Sequence, residues 1–582
     1  MKRFGSTLAL IWSLTIPYFR SEDRLAGGIL LAAVIALELA GVWILVLVNQ
    51  WNARFFNALQ DRNWDAFTSE LGFFCILAAA YIVIAVYQLY LQQWLEIRWR
   101  RWMTARYLHD WLRRANHYRM QLLGDAADNP DQRIADDIKL FTERTVEIAI
   151  GLLGSVVTLA SFLTILWLLS AGAPLHLFGT TFAIPGYLVW AALLYAVVGT
   201  ALTHLIGRKL IGLYFEQQRV EADFRFNLIR VRENSEQIAL LAGEPAESER
   251  LLQRFAFVIA NWYAIMDRRK KLQFFTTGYS QISTVFPYVV ASPAYFAGLL
   301  QLGGLTQTAS AFDRVQTALS FFITSYRSIA EWRACAQRLI GFEAAVAHAE
   351  AAAVTPPVVE VRPLTAAKAV EVRDLAIRLP NGVPLVAATD IVIRAGERVL
   401  VTGPSGSGKS TLFRAIAGIW PFGSGTVLVP KDARMMMLPQ RPYFPIATLA
   451  TAITYPAEPG TFTTDQLSEA LAAVGLPQLV HRLGEEAHWN RMLSLGEQQR
   501  LAVARAILQA PDYLFLDEAT ASLDEPSEAA LYRLLQQRLG NATIVSIGHR
   551  STLTALHQRR LTLSKQGDRH EVLEAALQPA AE

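Results

Sequence analysis

Apolar residues in roughly the first 335 positions gather into blocks, and the polar stretches between them alternate between short and very long. Crossing about 30 Å of hydrocarbon at 1.5 Å per residue takes about 20 apolar residues in a helix. Five runs meet that length, near residues 28–48, 72–93, 148–170, 184–206 and 273–300, and a sixth near 309–332 meets it with polar interruptions. A membrane α-helical bundle of six spans is expected. Lys and Arg orient it. Arg98, Arg100, Arg101, Arg106, Arg113, Arg114 and Arg119 follow the second run, and Arg208, Lys209, Arg268, Arg269, Lys270 and Lys271 lie after the fourth. The connections near 171–183 and 301–308 carry no Lys or Arg. The basic stretches therefore face the cytoplasm and the others the outside. The long cytoplasmic connections, about 94–147 and 207–272, should be helical extensions of the spans, because long structureless loops are uncommon. Residues 1–27 begin Met1-Lys2-Arg3 and continue into a short apolar run, Leu8 to Phe19, with no small-residue cleavage site after it. They read as a helix lying at the membrane interface.

Polar residues inside the spans follow a helical spacing. Asp313, Gln316, Ser320, Thr324, Arg327 and Glu331 form one stripe on the sixth span if it is a continuous helix. A central charge facing lipid costs about 2.5–3.5 kcal/mol on insertion scales, so this stripe should face water or a partner helix. The fifth span carries Thr277, Gln281, Thr284 and Tyr288 at similar spacing, with Pro287 and Pro293 expected to bend it. Together the stripes predict a hydrated cavity with Asp313, Gln316, Arg327 and Gln281 on its wall. Glu38, in the middle of the first span, either pairs with donors inside the bundle or serves cargo or protons.

Past residue 345 the pattern changes. Residues 346–368 are rich in Ala, Val and Pro without apolar periodicity and read as a linker, and residues 369–582 have soluble-protein composition. The whole chain of 582 residues is 53% hydrophobic with 14 tryptophans, which fits a membrane half joined to a soluble half. A net charge of +4 gives no support for a nucleic-acid partner. With only Cys75 and Cys335 there is neither a disulfide framework nor a zinc spacing.

The soluble half holds the chemistry. A strand-like run, Val399-Leu400-Val401, precedes Gly403-Pro404-Ser405-Gly406-Ser407-Gly408-Lys409-Ser410-Thr411 and an apolar helix. In that setting the loop amides can turn around phosphate, Lys409 can reach the terminal phosphates, and the Ser410 hydroxyl can ligate Mg2+. By itself the run also fits a Gly/Ser-rich turn before a helix. Tyr513-Leu514-Phe515-Leu516-Asp517-Glu518 reads as a buried strand ending in two carboxylates, one suited to a metal and one to an attacking water. Solvated acids at a strand end are the plainer explanation of that segment taken alone.

Between these segments stands Leu493-Ser494-Leu495-Gly496-Glu497-Gln498-Gln499-Arg500. It resembles the signature sequence of ATP-binding-cassette ATPases, in which Ser494, Gly496 and Glu497 would meet the γ-phosphate of ATP held by an opposite subunit. Ser494 and Glu497 also have the spacing of a helix capping box. The resemblance extends in order to Gln440, matching the glutamine that touches Mg2+; to Ser522-Leu523-Asp524, matching the D-loop; and to His549, matching the switch histidine. It implies Ser410, Gln440 and Asp517 as metal ligands, and Glu518 and His549 as the catalytic pair. The expected fold is a six-helix membrane bundle of the ABC exporter type fused to an α/β P-loop ATPase. Two departures stand out: Leu495 replaces a glycine and Glu497 a glutamine. Leu379-Pro380-Asn381-Gly382 also lacks the aromatic residue that stacks on adenine in many relatives, which predicts loose discrimination between ATP and GTP.

Trp489-Asn490-Arg491-Met492, Leu438 to Pro445 and Gly418-Ile419-Trp420-Pro421 are similar to one branch, the peroxisomal fatty-acyl half-transporters of the ABCD group and bacterial relatives of the SbmA/BacA and YddA type. In the membrane half, Asn49 to Gln60, Ala127 to Ile134 and Glu233 to Ala239 resemble segments of that branch as well. The resemblance implies a homodimer in the bacterial inner membrane, with its ATPase domain in the cytoplasm. It would be driven by ATP with Mg2+ and most readily import bulky hydrophilic small molecules or peptides, bleomycin-like or cobalamin-like compounds among them. Export of lipids, acyl compounds or drugs is the first alternative, and an ATP-gated channel the second.

Overall fold

The computed structural model describes residues 2–124, 129–172, 175–177, 180–182, 184–365, 369–388 and 390–576. Two compact units emerge, one of Met1–Tyr107 with Asn129–Ile340 and one of Leu108–Asp128 with Gly341–Glu582.

The first unit is helical. It begins with α1 (Lys2–Phe19), α2 (Arg24–Gln60) and α3 (Trp64–Leu112); α4 (Asn116–Leu123) falls in the second unit. There follow α5 (Pro130–Gln132), a π turn (Arg133–Asp137), α6 (Ile138–Gly172), a hairpin of β1 (Leu175–Leu177) and β2 (Thr180–Phe182), α7 (Tyr187–Glu233), α8 (Ser235–Leu240) and α9 (Glu244–Phe296). The unit closes with α10 (Leu302–Leu319), α11 (Phe321–Thr324) and α12 (Tyr326–Ala352), whose last turns pass into the second unit. Among the described residues, four segments are long and apolar enough to cross a membrane: α2, Trp64–Leu123, Pro130–Ala171 and α7. On α3, Ile76, Ile82, Val83, Val86 and Leu89 are all more than half exposed, a surface suited to lipid. The fifth and sixth expected spans fall on α9 and on α10 to α12, which are not among these four.

The sixth span is not one helix. It ends at Ser320 and restarts twice; Ser320 Oγ donates to the Gln316 carbonyl at 2.9 Å and Thr324 Oγ1 to that of Phe321 at 3.0 Å, each beside the backbone amide that the carbonyl also accepts. At its other end α10 is held by α2. The first amides of a helix have no partner within it, and here Leu302 N–H donates to Gln60 Oε1 at 2.7 Å and Gly303 N–H to Asn57 Oδ1 at 2.8 Å. Asn49, almost fully buried, exchanges two hydrogen bonds of 3.1 Å with Gln307. A Cβ at Gly303 would lie 1.9 Å from the Ala53 carbonyl, so only glycine permits this approach.

Near the π turn, buried Asp137 accepts from Arg133 Nη1 at 2.5 Å and from Arg338 Nε at 2.9 Å, and the Cys335 thiol donates to its carbonyl at 3.0 Å. Burial pushes the Asp137 carboxyl up, but the bonds from Arg338 and Arg133 outweigh it and hold the group below the usual range. Burial also pushes the Cys335 thiol up to about 12.

The second unit is built on an eleven-stranded sheet: β3 (Glu360–Leu364), β4 (Ala369–Arg378), β5 (Pro384–Ala388), β6 (Ile391–Arg394), β7 (Arg398–Thr402), β8 (Gly423–Pro430), β9 (Met435–Leu438), β12 (Tyr513–Asp517), β13 (Thr543–Ile547), β14 (Arg559–Gln566) and β15 (Arg569–Ala576). The order is β3-β8-β4-β5-β15-β14-β7-β13-β12-β9, with β6 on β4. A two-stranded ribbon pairs β10 (Ala447–Thr448) with β11 (Glu486–Ala487). The helices are α13 (Lys409–Ile416), α14 (Leu449–Thr454), α15 (Thr464–Ala473), α16 (Trp489–Met492), α17 (Leu495–Gln509) and α18 (Glu525–Arg538). Central strands buried on both faces read as continuous apolar runs, and the alternation along them divides two cores. Val399, Val401, Tyr513 and Phe515 pack with Leu412, Phe413 and Ile416 of α13. Leu400, Leu514 and Leu516 pack with Leu501, Val503 and Ala504 of α17. Leu122 of α4 rests against the first of these cores.

The expected linker, 346–368, needs correcting. Its alanines continue α12 as far as Ala352, as their helix propensity favours, and Glu360–Leu364 forms β3 in parallel pairing with β8. Residues 366–368 lie outside the described residues, as do Ala127 and Asp128 of the Ala127-to-Ile134 segment.

Candidate functional site

Strands β7, β13, β12 and β9 run parallel and adjacent, with Asp517 opposite Ile547 and Leu516 opposite Leu438. Four loops therefore leave the sheet along one edge, where open α/β sheets receive ligands. The loop after β7 enters α13 through Gly408 at φ +92°, and a Cβ there would stand 2.5 Å from Val386 Cγ2. Lys409 folds over this loop, Nζ donating to the Gly403 and Pro404 carbonyls at 2.9 Å each. Its burial holds the ammonium below the usual lysine range, against the pull of Glu518 and Asp517. Ser410 Oγ donates to Asp517 Oδ1 at 2.7 Å. Burial raises the Asp517 carboxyl, and the Ser410 hydrogen bond opposes the rise. One residue on, Glu518 takes φ +51°, a left-handed conformation that non-glycine residues hold only where the surroundings impose it. Its Oε2 accepts from Gln440 Nε2 at 3.2 Å, and its Oε1 lies 3.3 Å from His549 Nε2. A cleft of about 720 Å³ opens over these groups, lined by Ser405 to Thr411, Arg414, Gln440, Asp517 and Glu518. Leu379 and Leu385 supply its apolar wall.

Ser494, Gly496, Glu497 and Asp524 do not line this cleft. Ser494 caps α17: its Oγ accepts from Glu497 N–H at 3.3 Å and its own N–H donates to Glu497 Oε2 at 2.9 Å, completing the capping box. Asp524 stands at the N-cap position of α18.

A model of ABC transporter transmembrane region 2 matches residues 14–296, and the ABC transporter ATPase model matches residues 387–521. The inner membrane ABC transporter ATP-binding protein YddA of Escherichia coli is 33% identical over 539 residues, 92% of this chain and 93% of its own. The chain belongs to the ABC transporter family. The transporter is also 25% identical to the lysosomal cobalamin transporter ABCD4 of Mus musculus, over 96% of this chain and 94% of that one, which supports the ABCD-related branch. In fold it resembles a solved bacterial Atm1-family ABC exporter with ATP bound, at a TM-score of 0.65 and 18% identity, covering 92% and 95% of the two chains. It is thus an ATPase coupled to transport, a helical membrane region with the ABC exporter fold joined to an ATP-binding domain.

In the transporter's membrane unit a second cavity, about 690 Å³, lies between α2, α9 and α10. Asp313, Gln316, Ser320 and Thr324 of the stripe line it, together with Ser280, Ser283, Thr284 and Tyr288 of α9. Gln281 does not: the α9 face turned inward runs through residues 280, 283, 284, 287 and 288, and Gln281 is exposed outside it. Glu38 is elsewhere too, accepting a short hydrogen bond from Gln88 Nε2 beside Gly154, where a Cβ would collide with its carboxylate. Glu331 lies 3.9 Å from Arg144, and the Arg327 side chain lies outside the described residues.

Two residues of the ATPase domain went without a role in the sequence. Gln499 is fully buried; its Nε2 donates to the Gln440 carbonyl at 3.1 Å and its Oε1 accepts from Ser522 N–H at 3.0 Å. Arg550 donates to the carbonyls of Leu523 at 2.6 Å and Ala521 at 3.2 Å. The loops bearing Gln440, His549 and Asp524 are thereby tied together. Gln499 stood inside the signature run, but nothing along the chain marks its partners.

Proposed function

We propose that the transporter works as a homodimer in a bacterial inner membrane and takes up bulky hydrophilic compounds, peptide-like, bleomycin-like or cobalamin-like. The observation that carries the ATPase half is the meeting of Gln440 and His549 on the Glu518 carboxylate, beside the Ser410–Asp517 pair. Residues 403–411 cradle the phosphates, with the loop amides and Lys409 meeting their charge. Ser410, Asp517 and Gln440 offer hydroxyl, carboxylate and amide oxygens, a hard donor set suited to Mg2+, which when bound neutralises charge on the β- and γ-phosphates. Glu518 orients a water for attack on the γ-phosphorus; the new P–O bond forms as the bond to the β-phosphate oxygen breaks, and ADP leaves. His549 holds Glu518 and reaches the γ-phosphate. Ser494, Gly496 and Glu497 of one subunit close over ATP held by the other, with Asp524 beside them. The hydrophilic nature of the cargo is supported by the polar cavity around Asp313 and Gln316 and by the cobalamin transporter among the relatives.

Glu518→Gln tests the assignment. Loss of a positioned base lowers turnover by about 10²–10⁴-fold, so the variant should bind ATP, remain a closed dimer and hydrolyse almost nothing. Turnover at the native rate would overturn the role. Direction is read from ATP-driven accumulation in proteoliposomes, with protein of each orientation scored separately.

A further inference from the structure

The cavity between α2, α9 and α10 is biased toward acceptors. Asp313 is exposed on its wall, and its carboxylate makes no hydrogen bond or ion pair with any described residue. Asn52 lines the same wall, and its Oδ1 is buried without a partner. Ser283 already gives its hydroxyl proton to Gln316 Oε1. No Lys, Arg or His lines the cavity among the described residues. An exposed carboxylate and, on the same wall, a buried amide oxygen are thus left without a donor among the described residues, and no cation stands beside them.

Depth sharpens the point. The contacts Gln60–Leu302, Asn57–Gly303 and Asn49–Gln307 run antiparallel along α2 and α10. Asp313 lies six residues beyond Gln307, about 9 Å further along the helix, level with the apolar run of α2. An ionised group at such a depth is retained where water or a counter-charge meets it.

We propose that this cavity is a cargo subsite for cationic compounds rich in N–H and O–H donors, with Asp313 taking the cation and Asn52 a neighbouring donor. The proposal rests on reading the membrane unit as the transport pathway, and it names the charge of what is carried. Anionic cargo, such as an acyl-coenzyme A with its phosphates, meets only a like charge here.

The test is equilibrium binding to the full-length protein in nanodiscs without nucleotide. Kanamycin serves as the cationic polyol, its fully N-acetylated form as the neutral one, and oleoyl-coenzyme A as the anion. Kanamycin should bind saturably, and both N-acetylation and Asp313→Asn should weaken binding by about tenfold or more, the usual worth of a charge-assisted hydrogen bond. Asp313→Glu, which keeps the charge, should retain affinity within about threefold, separating a charge effect from misfolding. Absence of saturable kanamycin binding, equal affinity in Asp313→Asn, or tighter binding of the coenzyme-A ester would each overturn the proposal. Because no nucleotide is present, failure here is distinct from failure of the pump reading, which appears as loss of ATP-driven accumulation with binding intact.

Discussion

Replacing Gln499 by Leu removes both hydrogen bonds that join the Gln440 loop to the Ser522 loop while filling a similar volume. The side chain is fully buried, so water cannot take its place directly, but Gln440 and Ser522 themselves are exposed and can rehydrate in part. A buried group left without its partner costs about 1–3 kcal/mol. Two partly rehydrated groups place the loss of stability near 1–3 kcal/mol in all, about 2–12 °C in melting temperature for a domain of this size. The kinetic effect should be selective. Gln499 does not line the ATP cleft, so KM for ATP should stay within about twofold, while kcat should fall by about tenfold as Gln440 and the Asp524 loop lose their common anchor. Gln499→Glu sharpens the case: it still accepts from Ser522 N–H but cannot donate to the Gln440 carbonyl, and it should lose most of the same kcat. Steady-state ATPase kinetics on the dimer, with melting curves alongside, read both quantities. A folded Gln499→Leu variant with native kcat, or a rise in KM with kcat unchanged, would refute the reasoning.

Asp137→Asn breaks a buried ion pair, which costs about 3–5 kcal/mol; Arg338 reaches solvent, so about 3 kcal/mol is expected in equilibrium unfolding from mixed micelles, and a variant as stable as the native protein would contradict the description of the π turn. His557 is buried, with Nε2 2.9 Å from Ser546 Oγ and Nδ1 2.7 Å from the Leu553 carbonyl, and burial lowers its pKa. The unfolded chain then binds the proton more readily, so stability is constant above the unfolded imidazole value of about 6.5 and is lost as pH falls below it toward the folded value. Melting curves of native protein and His557→Gln across that window should converge as pH falls; parallel curves would remove His557 from the account. Finally, the cleft offers Leu379 and Leu385 where stacking on an aromatic ring would select a base, and stacking is worth about 1–3 kcal/mol in nucleic-acid complexes. GTP should therefore be hydrolysed within about tenfold of ATP in kcat/KM, and a hundredfold preference for ATP would show that other groups read the base.

Features carried by local pattern were legible in the sequence. Apolar length located the first four spans, because lipid demands it residue by residue. The ordered loops of the ATPase could be read because each follows a buried strand whose apolar run announces it. What escaped depends on partners far along the chain. The segment Asn49 to Gln60 stood out by resemblance, yet its work, supplying amide caps to α10, joins residues 242 to 258 positions apart. The Ser320 break was hidden because the stripe keeps its helical spacing across it: Ser320 and Thr324 both line the cavity and bond back to helix carbonyls. Gln281 was misplaced for a related reason: Thr277, Gln281, Thr284 and Tyr288 share a face with Ser280 and Ser283 to within one residue, and packing alone selects which edge turns inward. In Gln499 and Arg550 the chemistry was visible, but most of the partners were backbone groups, which leave no trace in residue identity.

Helix α10 is gripped at its head by three amide side chains and has lost its continuity at its foot. Its five helical turns and the C-terminal end of α2 are therefore obliged to travel together, and any reorientation of the sixth span during turnover is displaced to the joint at Ser320. Paired spin labels on these two helices should keep a constant separation throughout the cycle, which makes the pair a fixed yardstick against which the movement of every other helix can be measured.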